Sequence, residues 1–139
     1  MAQRVRDLMA ANPIEMDART TVHEAARRMR DADIGDVLVM ENGTLCGIVT
    51  DRDIVIRGLA DREDLTGCTL GDVCSKQLVS VGPDEDADAA IMRMREKAIR
   101  RIAVVEDGRP AGMLSIGDAA VEKDPRSALA DISAAPANA

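Results

Sequence analysis

Two short stretches of the chain combine a glycine, a hydroxyl and a carboxylate at fixed spacing: Gly47-Ile48-Val49-Thr50-Asp51-Arg52-Asp53 and, 65 positions later, Gly112-Met113-Leu114-Ser115-Ile116-Gly117-Asp118. In each, an apolar run reads as a strand that ends where a helix begins. A helix N-terminus presents unpaired N–H groups and the positive end of a dipole, which favour a phosphate or a carboxylate. The hydroxyl of Thr50 or Ser115 can donate to a phosphate or ribose oxygen, and Asp53 or Asp118, one turn on, can accept both hydrogen bonds of a vicinal diol. Gly47 and Gly112, without side chains, leave a ligand access to the backbone. Ribose nucleotides carry both groups. The same residues also have a purely structural reading, since Thr50-x-x-Asp53 and Ser115-x-x-Asp118 fit the capping-box pattern of a helix start. Occurrence of the whole pattern at the same place in two copies favours the ligand reading.

The copies extend well beyond the motif. Residues 5–54 laid on residues 70–119 without a gap are identical at 11 of 50 positions, more than composition alone gives. Matches include Asp7/Asp72, Ala25/Ala90, Met29/Met94, Gly43/Gly108, Gly47/Gly112 and Asp53/Asp118. In the first copy, Ile14-Glu15-Met16 reads as a short strand after the Asn12-Pro13 turn. Val22, Ala25, Ala26, Met29 and Arg30 form a helical stripe that stops near Ile34-Gly35. Val37 to Met40 and Leu45 to Val49 read as strands joined at Asn42-Gly43, and Thr50 opens a helix to about Ala60. The second copy predicts a strand over Leu78 to Val81, a helix over Ala87 to Lys97, strands over Ile102 to Val105 and Ala111 to Leu114 around Asp107-Gly108, and a helix from Ser115. Asp61 to Gly67 reads as a linker. The tail after Asp124-Pro125, rich in Ala, Ser and Pro, is expected to fray.

Each copy is about 50 to 60 residues, a length at which a lone core is marginal, so the two are expected to pack together. The division is residues 1–62 (core 5–60), residues 63–123 (core 70–120) and a flexible tail over 124–139. The fold class is α/β (α+β in some schemes). With 18 Lys and Arg against 25 Asp and Glu, the net charge of −7 argues against nucleic acid as a partner. No apolar run approaches the ~20 residues of a membrane span and the N-terminus lacks a signal-peptide core, so a cytoplasmic protein is expected. There is no Phe, Tyr or Trp, so a base must be held by aliphatic burial, for which Ile14, Val37, Val79 and Ile102 are the candidates. Cys46, Cys68 and Cys74 have no C-x-x-C spacing, which suits reduced thiols. A zinc site from Cys68, Cys74 and His23 would lack a fourth ligand. No nucleophile, base and oxyanion set emerges, so no catalytic role is assigned.

The β-α-β-β-α repeat ending in G-h-x-[T/S]-x-x-D resembles the CBS domain, which occurs in tandem as a Bateman module, and Thr50-Asp51-Arg52-Asp53-Ile54-Val55 is similar to the small stand-alone bacterial CBS pairs, some of them stress-induced. The resemblance covers about residues 5 to 120. It implies two repeats packed about a pseudo-twofold axis, with clefts for AMP, ADP, ATP, NAD or S-adenosylmethionine as regulatory ligand, and association as a homodimer. Thr50 and Asp53 would serve one cleft, Ser115 and Asp118 the other, the acid on ribose hydroxyls and the hydroxyl near the ribose or α-phosphate. The segments Asn12 to Ile14 and Gln77 to Val79 match those that meet the base, largely through backbone atoms. Arg100 and Arg101 stand where the family often places a phosphate-binding residue; their counterparts in the first copy are Gly35 and Asp36.

A carboxylate beside a phosphate is unfavourable, so a phosphorylated ligand is expected in at most one cleft, the one reached by Arg100 and Arg101. The reading is a regulatory module that binds an adenosine-containing ligand and signals occupancy to a protein partner or through its own dimer, with no cofactor required. One alternative is a ligand-free interaction module whose motifs only cap helices. Another is a thiol or zinc sensor.

Overall fold

The computed structural model describes residues 3–75 and 78–135. The chain forms α1 (Val5–Leu8), β1 (Ala10–Ala11), β2 (Glu15–Asp17), α2 (Val22–Ala32), β3 (Asp36–Glu41), β4 (Thr44–Thr50), α3 (Asp51–Asp53) running on into a π-helical segment (Ile54–Leu59), α4 (Leu70–Val73), β5 (Ser80–Val81), α5 (Ala87–Lys97), β6 (Arg101–Glu106), β7 (Arg109–Ser115), α6 (Ile116–Lys123) and α7 (Ala128–Ala134). It divides into two compact units. One is Ile14–Leu78; the other joins the N-terminal segment through Pro13 to the chain from Val79 onward.

The first unit holds a three-stranded sheet in the order β2-β3-β4, with β2 parallel and β4 antiparallel to β3. Strand alternation sends Val37, Val39 and Val49 to one face, where they meet Val22, Ala25 and Met29 of α2 and Leu70 and Val73 of α4 in a buried cluster. Only these three residues of α2 are buried, so the apolar stripe is narrower than the sequence pattern: Ala26 and Arg30 face solvent. The second unit has a four-stranded sheet in the order β1-β7-β6-β5. Its cluster joins Ile102, Val104 and Leu114 to Ala87, Ala90 and Met94 of α5 and to Val5 and Leu8 of α1.

Sequence repeat and spatial unit are therefore not the same thing. The N–H groups of Val5 and Arg6 donate to the carbonyls of Glu85 and Pro83, while those of Leu70 and Gly71 donate to Thr20 and Ala18 at the corresponding places of the other unit. Each copy's leading helix thus caps the loop that precedes the long helix of the other copy's sequence. Both helices have only four residues, too few to hold without tertiary partners.

Two hairpins follow the sequence reading closely. Asn42 and Gly43 (φ 52° and 77°), and Asp107 and Gly108 (φ 51° and 78°), take the two positive φ values a type I′ turn needs. Both hairpins carry a bulge. The pairing passes from Val39↔Gly47 to Met40↔Leu45, and from Val104↔Gly112 to Val105↔Pro110, so Cys46 and Ala111 are the extra residues.

Two expectations need correction. The first long helix does not stop on Gly35: Asp33 takes the left-handed cap at φ 55°, as Ala98 does after α5. Asp tolerates that region through its short polar side chain; Ala98 shows that the repeat's geometry imposes it even without one. The tail is also more ordered than its composition suggests, because Ala128–Ala134 form α7. Ser127 caps it by accepting from Ala130 N–H at 3.0 Å, and Ala130 is buried. The fit against α6 depends on Gly117, where a Cβ would run into the Ser133 side chain. Among the described residues, no helix is long and apolar enough to cross a membrane.

Candidate functional site

At the first junction, Thr50 ends β4 and caps α3. Its hydroxyl oxygen accepts from Asp53 N–H at 3.1 Å while the Asp53 carboxylate accepts from Thr50 N–H at 2.9 Å, a complete capping box. The remaining donors of the first turn are also taken: Asp51 N–H by the Gly35 carbonyl at 3.0 Å and Arg52 N–H by the Asp51 carboxylate at 2.8 Å. Arg57, one turn along, lies 3.9 Å from Asp53. Asp36 is paired in register with Thr50, so Asp36, Asp51 and Asp53 put three carboxylates around this joint. The first-turn N–H groups are all taken, and the three carboxylates disfavour an anion here.

The second junction has the same backbone and different side chains. Ser115 caps α6 by accepting from Asp118 N–H at 3.0 Å, and Ile116 N–H donates to the Arg100 carbonyl at 2.9 Å. Ile116 stands where Asp51 does in the first copy, so nothing takes up the N–H of Gly117 among the described residues. The Asp118 carboxylate does not reach back to Ser115 and has no hydrogen bond or ion pair among the described residues. Arg101 pairs in register with Ser115, and Arg100, exposed, precedes it. One unit therefore gathers Arg100, Arg101, Ser115 and Asp118. This junction offers an open donor, an open acceptor and positive charge.

The other site candidates fare differently. Val37 and Ile102 are 1% and 0% exposed and lie in the two cores beneath the long helices, so they are structural and cannot flank a base. Alternation along β3 and β6 places them opposite to Leu38 and Ala103, buried on the other sheet face. Ile14 and Val79 are half-buried beside the same cores. The Ile14 carbonyl is engaged by Leu38 N–H at 2.9 Å. Gln77, in the second base-meeting segment, lies outside the described residues.

Gly47 and Gly112 are also accounted for by packing. A Cβ on Gly47 would collide with the Ser75 carbonyl, across the Ile48↔Ser75 bridge. One on Gly112 would sit 2.7 Å from the Ala10 carbonyl, in the β1–β7 pairing, and as close to Met9 Sδ. Neighbouring chain, rather than a ligand, occupies the space these glycines leave. Sequence reasoning missed the role of residue 51 against 116; the signal was present in the Asp-to-Ile difference between the copies, one step after each hydroxyl.

The CBS domain family model matches residues 5–59 and again 70–122. The chain belongs to the CBS-domain family. This CBS pair is 34% identical over 120 residues to the CBS domain-containing protein YhcV of Bacillus subtilis, covering 86% of this chain and 84% of that one. It is 32% identical over 116 residues to Hypoxic response protein 1 of Mycobacterium tuberculosis, covering 83% and 81%. A crystal structure of Hypoxic Response Protein I with two coordinated zinc ions superposes with a TM-score of 0.76 at 31% identity, over 85% of this chain and 97% of that one. The CBS domain pair of protein MJ0100, in complex with 5′-methylthioadenosine and S-adenosyl-L-methionine, shares the fold at a TM-score of 0.80 and 22% identity, over 91% of this chain and all of that one. Within this CBS pair, no group of three or more His, Cys, Asp or Glu able to hold a metal ion occurs among the described residues. His23 is exposed while Cys68 and Cys74 are buried, so the zinc set considered from sequence is not assembled.

Proposed function

We propose that this protein is a stand-alone regulatory CBS pair that binds one adenosine-containing ligand of the AMP, ADP or ATP class at the second junction. The observation that carries the reading is the difference between two acids: Asp53 is locked in its own helix cap, whereas among the described residues Asp118 has no partner and the neighbouring Gly117 N–H no acceptor. Asp118 accepts from the ribose diol, the Gly117 N–H and the Ser115 hydroxyl meet the α-phosphate or ribose, and Arg100 and Arg101 supply the positive field. A relative that carries adenosine ligands in its CBS pair supports the ligand class.

The first junction supports the other reading, a motif that only caps its helix, and we assign it that role. Occupancy is signalled to a partner protein or through a homodimer. The apolar surface that association would cover includes Val55, Ile56 and Leu59 on the π-helical segment, each about half exposed. A ligand shifts such an arrangement only by binding its two states unequally. The likeness to a hypoxic response protein supports a role in bacterial stress.

Calorimetric titration with AMP, ADP, ATP, NAD and S-adenosylmethionine tests the proposal. One site per chain is expected. At 100 times its dissociation constant the true ligand adds about 2.7 kcal/mol, a rise of several degrees in Tm. Two equal AMP sites, or no shift with any of the five, would overturn it.

A further inference from the structure

We propose that Cys46 and Cys74 form a reversible dithiol–disulfide site within the Ile14–Leu78 unit. Four observations meet there. The bulge makes Cys46 the extra residue of β4, and a bulge re-aims the side chain it carries. Next to it, the missing side chain of Gly47 leaves room into which Cys74 projects, its Sγ 3.4 Å from where a Cβ would stand. Both residues belong to one apolar cluster, Cys74 within it and Cys46 against its edge. The thiols donate to backbone carbonyls, Cys46 to Val39 at 3.3 Å and Cys74 to Gly71 at 3.9 Å, and Cys74 is near enough to help raise the Cys46 thiol above its ordinary value.

The second copy repeats this geometry without the chemistry. There Ala111 is the bulge residue and Met9, the counterpart of Cys74, fills the space beside Gly112. The paired thiols are thus confined to one half of the chain. Cys68, fully buried, belongs to the same cluster.

The oxidant is a small disulfide such as oxidised glutathione. The partly exposed Cys46 thiol loses its proton and attacks one sulfur, forming a mixed disulfide and releasing one thiolate. Cys74 then loses its proton and attacks the Cys46 sulfur, closing the intrachain bond and releasing the second. Two protein thiols and one small disulfide become one protein disulfide and two small thiols. Burial, then the Cys74 neighbour and Glu41, push the Cys46 thiol above its ordinary value. Its thiolate fraction is therefore small, and exchange runs over minutes to hours. The bond would tie β4 to the segment that follows α4, fixing the Ile48↔Ser75 contact.

The full chain incubated with oxidised glutathione, then unfolded and alkylated, tests this. Of the three thiols, only Cys68 should react; the protein should lose two hydrogens, and digestion should yield a Cys46–Cys74 linked peptide that dithiothreitol releases. Cys68→Ser should form the same link, and Cys46→Ser none. Three alkylatable thiols after overnight incubation, a link through Cys68, or a mixed disulfide that never resolves would each overturn the proposal.

Discussion

At the β4–α3 junction every first-turn donor finds an acceptor, whereas at the β7–α6 junction the Gly117 N–H and the Asp118 carboxylate have no partner among the described residues. The two share a backbone, and the hydroxyl caps of Thr50 and Ser115 work alike, so the open N–H traces to a single difference, Asp51 against Ile116, which removes the carboxylate that takes up the corresponding N–H in the first copy. A duplicated motif can thus keep its fold in both copies while only one retains open groups for binding.

The largest effect expected concerns what the two junctions have in common. Gly47→Ala forces a Cβ onto a backbone carbonyl and should lower stability by about 1–3 kcal/mol in urea unfolding. Gly112→Ala should cost less if Met9 can swing aside, and a neutral result at both would mean that neighbouring chain does not explain these glycines. Next is Asp118→Ala, which should weaken AMP binding at least about tenfold, or 1.4 kcal/mol, with Tm unchanged. Asp53→Ala should do the reverse, losing about 1 kcal/mol of stability with AMP affinity intact. If both variants lose affinity equally, the asymmetry is wrong. Ile116→Asp sharpens the contrast, because it restores the side chain that closes the first junction and adds a negative charge; AMP binding should fall while the exposed position leaves stability nearly untouched.

The smallest effect separates the loops before the long helices. Glu85 accepts from Gly82 N–H at 2.5 Å and from Arg93 at 3.1 Å, and the backbone bond above all, with the Arg93 guanidinium, holds its carboxyl below the ordinary value against the opposing cost of burial. A depressed folded pKa means that the stabilisation is fully present above the unfolded value of about 4.3 and is lost as pH falls through the folded one. Glu85→Gln should therefore flatten the acid side of the stability curve by a few tenths of a kcal/mol, given how exposed the pair is. An unchanged acid limb would remove Glu85 from the account.

Much of this was legible in the residues. The stripe of Ala87, Ala90 and Met94 marked α5 at its observed bounds, Asn42-Gly43 and Asp107-Gly108 marked both hairpins, and the duplicated hydroxyl and acid marked both helix starts. Other features left weaker local traces. The helices α1 and α4 are a single turn each and exist only through contacts distant in sequence. Val37 and Ile102 have the composition of a ligand wall and of a core alike, and only strand register decides which. The two glycines advertise a close approach without saying by what. α7 hides in a low-complexity stretch because its docking depends on one missing side chain, at Gly117.

The wiring of the leading helices has a consequence for anyone cutting the gene. Asp61 to Gly67, the obvious place to divide the protein, is an internal loop of the Ile14–Leu78 body, and a break there separates α2 from the α4 that closes its core. Scissors belong at 13/14 and 78/79 instead, which excise one body whole and leave the other to be rejoined from Pro13 to Val79. A lone ancestor of the duplication, wired in this fashion, could have placed its first turn only on a sister molecule, so partnership would predate the fusion.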